Sequence, residues 1–105
     1  MGARGKMRPV DNSDLERWRG LGAMDALRVL AVQVQVDRDY HPRLTGSTVR
    51  VHTSTKDSDY ELLLTGAKWY DTRAGKGGGG AVDLAMHLFD MTFKQACRKL
   101  KECSL

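Results

Sequence analysis

The residues best suited to chemistry lie between Lys68 and Lys76. Lys68-Trp69-Tyr70 is followed by Arg73 and Lys76, so aromatic rings and cations interleave. Rings of this kind stack on bases while cations hold phosphates, the combination that binds single-stranded nucleic acid. Arg50 and His52 alternate with Val49 and Val51 on a candidate neighbouring strand and join the set. Gly75-Lys76-Gly77-Gly78-Gly79-Gly80 then opens an apolar stretch. Free N–H groups at a helix start attract anions, and glycines let a phosphate reach the backbone, which adds Gly77 and Gly78. The competing reading of this segment is a plain flexible connection. On a strand, Trp69 and Tyr70 point to opposite faces, so one is core and the other partly exposed; the sequence leaves open which.

Other chemistries find little support. A P-loop needs glycine five residues before its Gly-Lys pair and Ser or Thr after it; those places hold Tyr70 and Gly77. The dinucleotide pattern matches from Gly75 to Gly80, but a run of glycines matches almost any such pattern and no βαβ unit surrounds it. The possible zinc ligands are His41, His52, His87, Cys97 and Cys103. Cys97 and Cys103 fall about 240° apart around a helix, and no pair has C-x2-C or H-x3-H spacing. No Ser/His/Asp constellation appears, and Asp37, Asp39, Asp57 and Asp59 read as solvated turns. The expected protein is therefore not an enzyme and carries neither cofactor nor metal.

Elements that position these residues must come from a chain of 105 residues, one domain's worth, with 41% hydrophobic and 29% charged residues. No apolar run is long enough to span a membrane, so no membrane partner is expected. Two cysteines suit a reducing cytoplasm better than a disulfide scaffold. The net charge of +4 permits a nucleic-acid partner without requiring one. Residues 1–10 read as a flexible basic arm with no apolar signal region, and residues 11–105 as a single domain.

Ser13-Asp14-Leu15-Glu16 fits a capping box for a short helix to about Arg19. A second helix runs from Ala23 to about Leu30. Val32, Val34 and Val36 alternate with polar residues as a strand. His41-Pro42 and Thr45-Gly46 read as turns. Strands follow at Thr48–His52, Tyr60–Leu64 and Lys68–Asp71, then a glycine-rich loop over residues 72–79. Ala81–Leu88 reads as a buried helix, with Asp90 ending it. Thr92 and Gln95 form a second capping box for a last helix to about Lys101. The predicted buried face of that helix is Phe93, Ala96, Cys97 and Leu100. The predicted core is Val49, Val51, Leu62, Leu64, Val82, Leu84, Met86, Leu88, Phe93 and Leu100. The fold class is α+β: a small antiparallel β-meander flanked by N-terminal and C-terminal helices.

From about residue 48 to 101 the chain resembles the N-terminal zinc-ribbon domain of bacterial DNA primases and of primase-like proteins on plasmids and other mobile elements. The resemblance rests on Lys68-Trp69-Tyr70-Asp71, the glycines to Gly80, the helix Ala81–Leu88 with its Leu84-Ala85-Met86, and Met91-Thr92-Phe93-Lys94-Gln95-Ala96. The family's zinc ligands fall at Val49, His52, Thr72 and Gly75, so His52 alone retains a ligand type and the resemblance is to a zinc ribbon without its zinc. It implies a module that binds single-stranded template DNA during replication or transfer of a mobile element. Primer synthesis is not implied, because the family's catalytic carboxylates lie in a separate domain. The alternative is an adaptor that docks a replication or transfer protein without binding nucleic acid.

Overall fold

The structure is a computed structural model that describes residues 9–41 and 46–105. Most of the expected basic arm, and the turn residues from Pro42 to Thr45, lie outside the described residues. Two helices come first, α1 (Asn12–Gly20) and α2 (Ala23–Leu30). Five strands follow: β1 (Gln33–Asp37), β2 (Val49–Ser54), β3 (Asp59–Thr65), β4 (Lys68–Asp71) and β5 (Lys76–Gly79). Helices α3 (Gly80–Phe89) and α4 (Phe93–Glu102) close the chain. The strands form one antiparallel sheet in the order β1-β2-β3-β4-β5, so the fold is the expected α+β meander flanked by helices.

Period-two alternation decides which side of the sheet is dry. Val51, Leu62, Leu64 and Trp69 face inward and pack in one cluster with Ala26 and Leu27 of α2 and Ala81, Leu84, Ala85 and Leu88 of α3. The Leu62-Leu63-Leu64 triplet splits accordingly: Leu62 and Leu64 are buried, while Leu63 opposes Tyr70 on the outer face. Trp18 of α1 is fully buried in the same cluster. Of the predicted core, Val49, Val82 and Met86 lie at its margin. Phe93 is a correction: it is 51% exposed. Its ring stands at an open groove of about 260 Å³ beside Leu15, Arg19 and Val82.

Two local expectations change. Residues 76–79 are not loop but strand β5, with Trp69 opposite Gly78 and Tyr70 opposite Gly77. The first helix is capped by Asp11, not Ser13. Asp11 accepts the Asp14 N–H at 3.0 Å, and Asp14 accepts the Asp11 N–H at 3.2 Å. Starting there turns Asp14 inward, where Arg17 (2.8 Å) and Lys101 of α4 (3.4 Å) meet its buried carboxylate. A carboxylate this buried is tolerated only when it is paired in this way. Among the described residues no helix is long and apolar enough to cross a membrane.

Asp14 gives an acid-stability prediction. Its hydrogen bonds to the Arg17 guanidinium and the Asp11 N–H bring the carboxyl down to about 2. The unfolded chain then binds the proton more tightly than the folded one, so Asp14 stabilises the fold above its ordinary range near 3.8. That contribution is expected to disappear as pH falls from about 4 to 2. Urea midpoints over this range check it, with Asp14→Asn as the reference chain: the two midpoints should converge toward pH 2. A pH-independent gap between them would refute the linkage.

Candidate nucleic-acid interface

Strand β4 divides the candidate residues. Lys68 and Tyr70 are exposed on the outer face, while Trp69 (6% exposed) and Asp71 face inward. Trp69 stacks on His87 of α3 with ring centroids 4.6 Å apart, so its indole is core and Tyr70 is the ring that solvent reaches. Tyr70 lies on the glycine strand: a Cβ placed on Gly77 would meet its ring at 3.0 Å, and its hydroxyl lies 3.9 Å from such a position on Gly75. One face of the phenol thus covers backbone at the sheet edge, where the absence of side chains lets it lie down.

The inward side of β5 needs glycine for the opposite reason. A Cβ on Gly78 would stand 2.9 Å from both Trp69 and the Asp83 carboxylate. Gly80 begins α3 at φ +89, a conformation L side chains rarely adopt, against the backbone of Arg19. The glycines form a close-packed strand, which gives them a packing role in place of the expected anion site. At the start of α3, Asp83 Oδ2 already accepts the Gly79 N–H at 3.2 Å, and the Gly80 N–H goes to Ala67 O at 2.9 Å. The helix supplies its own anion there, so Gly77 and Gly78 serve as support for Tyr70 and Trp69 rather than as a phosphate cradle.

Arg73 sits on the turn between β4 and β5, and Lys76 is the first residue of β5; both are exposed. Among the described residues, neither they nor Lys68 makes an ion pair. The turn is built on Asp71, whose Oδ1 accepts the N–H groups of Arg73 (2.9 Å) and Ala74 (3.0 Å). No family model, curated protein or solved structure matches the chain. The site is therefore read from its own geometry.

Arg50 and His52 lie on the same outer face, toward β1, but in a different electrostatic setting. Arg50 donates to Asp37 through Nε at 2.9 Å and through Nη2, and its guanidinium covers the Tyr40 ring at 5.0 Å. The Arg50 bonds hold Asp37 below the usual carboxylate range, and Asp37 raises Arg50 in return. His52 stands 3.8 Å from Asp37 and 3.9 Å from Glu61. Glu61 accepts the Thr72 hydroxyl at 2.6 Å, which is the main reason its carboxyl is lowered. The outer face thus joins a charge-paired zone on β1–β3, where the Arg73 charge also acts on Glu61, to the exposed Lys68 and Tyr70 on β4. Among the described residues no three His, Cys, Asp or Glu side chains converge on a metal position.

Sequence reasoning missed Asp71 and Leu63. Asp71 precedes Arg73 and Ala74 by two and three residues, the spacing of a side chain that caps its own turn. Leu63 adds a half-buried apolar surface beside Tyr70 and could be assigned to the outer face only once the register was known.

Proposed function

We propose that this chain is a nucleic-acid-binding module that takes single-stranded DNA across the outer face of its sheet. The observation that carries this reading is Tyr70: a solvent-exposed ring laid on glycine backbone, with the exposed cation Lys68 on the same strand face and the exposed Arg73 and Lys76 at the end of the β4–β5 hairpin. A base stacks on the phenol and the cations hold the flanking phosphates. The resemblance to the zinc-ribbon domain of primases agrees with this reading and points to replication or transfer of a plasmid or other mobile element in a bacterial cytoplasm. The module binds and does not catalyse. Arg50 and His52, engaged with Asp37 and Glu61, border the path as a polar wall.

The test is a fluorescence titration with labelled single- and double-stranded oligonucleotides at two salt concentrations. Tyr70→Ala is expected to weaken single-strand binding roughly 5- to 150-fold, the value of one stacked base, while Tyr70→Phe keeps most of it. Unchanged affinity in Tyr70→Ala refutes the stacking platform. The second reading, a protein-docking adaptor, draws on half-exposed Phe93 in its apolar groove with Leu15 and Val82. Failure of the wild-type chain to bind any oligonucleotide at low salt would favour it.

A further inference from the structure

We infer that Asp71 and His87 act as a buried clamp that fixes the β4–β5 turn in the shape that presents Arg73 and Lys76 to DNA. The inference rests on the binding reading above and assigns positioning residues to it. The carboxylate of Asp71 is 4% exposed and divides its two oxygens between two elements. Oδ1 accepts the N–H groups of Arg73 and Ala74, while Oδ2 meets His87 Nε2 at 2.6 Å. The Asp71 carbonyl also accepts the Gly75 N–H at 2.9 Å, and Gly75 completes the turn at φ +68.

His87 is itself held in place. Trp69 stacks on its ring, and Tyr60 packs against it with centroids 5.8 Å apart. The Tyr60 hydroxyl donates to Leu88 O at 2.8 Å, which pins Tyr60 to α3. A rigid chain of contacts therefore runs from α3 through His87 and Asp71 to the backbone of Arg73. Burial pushes the Asp71 carboxyl up, but the Ala74 N–H, His87 and the Arg73 N–H outweigh it and hold the group ionised. Without a donor at position 87, one oxygen of a buried carboxylate loses its partner, and the side chain is expected to abandon the turn for solvent.

A double-mutant cycle on the whole chain separates positioning from general stability. Affinity for labelled oligo-dT is measured for wild type, His87→Leu, Arg73→Ala/Lys76→Ala, and all three changes together. His87→Leu is expected to weaken binding about tenfold and to lower the salt slope by about one to two contacts. With Arg73 and Lys76 already removed, it should add nothing further. His87→Gln, which keeps an N–H donor, should restore most of the affinity. Equal losses from His87→Leu in both backgrounds overturn the clamp alone. No loss in Arg73→Ala/Lys76→Ala overturns the binding reading and the clamp's role in it together. Amide exchange in the wild-type chain needs no variant: Arg73 and Ala74 should be protected together, and unprotected exchange of both overturns the clamp.

Discussion

Trp18→Ala should cost about 3–5 kcal/mol of stability, the range for emptying a buried aromatic site. For a domain of this size that corresponds to a fall in Tm on the order of 20 °C. The reason is that Trp18 is the main apolar anchor of α1, beside half-buried Leu15 and the polar ties of Asp14 to Lys101 and of Arg17 to the Leu105 carbonyl. The outward residues of α1 are polar or charged, and Trp18 is its one fully buried apolar side chain. Trp18 reaches the core cluster shared by α2, α3 and the sheet. Gly80, at the start of α3, has no side chain and lies against the Trp18 and Arg19 backbone. Loss of the indole leaves a cavity at this close approach, with few neighbours free to fill it. Urea and thermal unfolding measure the effect, and Trp18→Phe should recover a large part of it. A loss below about 1 kcal/mol in Trp18→Ala would show that α1 is an appendage rather than part of the core.

Arg73→Glu with Lys76→Glu should reduce single-stranded DNA affinity on the order of 100-fold at low salt, with the deficit shrinking as salt rises. Each cation that meets a phosphate contributes about one unit to the salt slope, so the reversal removes about two units and adds repulsion. Both side chains are exposed, and among the described residues neither makes an ion pair, so the melting temperature should hardly move. Titrations over a salt series, with a melting curve alongside, give both readouts. Tight binding by the double variant at moderate salt would remove the turn from the interface.

The two predictions differ in how far the sequence alone could reach them. The turn cations were visible because aromatic and basic residues interleave along one short stretch. Trp18 was not visible, since a short helix with two apolar residues carries almost no periodic signal. Helix α2 and strand β4 were legible to the residue, because apolar spacing and the flanking glycines, Gly22 before α2 and Gly66 before β4, act locally. Strand β5 was not: glycine disfavours strands, and Lys76–Gly79 pairs only because Trp69 and Tyr70 on β4 each need a neighbour without a side chain. The Asp11 cap escaped for a similar reason. Ser13 and Asp11 are both good caps, and the choice between them falls to Arg17 and Lys101, which reward an inward Asp14. Phe93 has core spacing on α4, yet its ring lines an open groove with Leu15 and Val82 and stays 51% exposed. Which of Trp69 and Tyr70 is buried depended on where α3 sits, and so on His87.

The alternation along β4 has a further consequence for how this module can be inherited and altered. Lys68 and Tyr70 touch little of the interior, while Trp69 and Asp71 touch little else. In a population of variants carrying every substitution at these four positions, damage should sort into two interleaved classes. Changes at Trp69 and Asp71 lower the amount of folded protein in the cell. Changes at Lys68 and Tyr70 should leave abundance largely intact and alter the exposed face, and with it the proposed binding. A lineage could therefore rewrite the exposed surface of this strand at every second codon while the other codons kept the protein in existence.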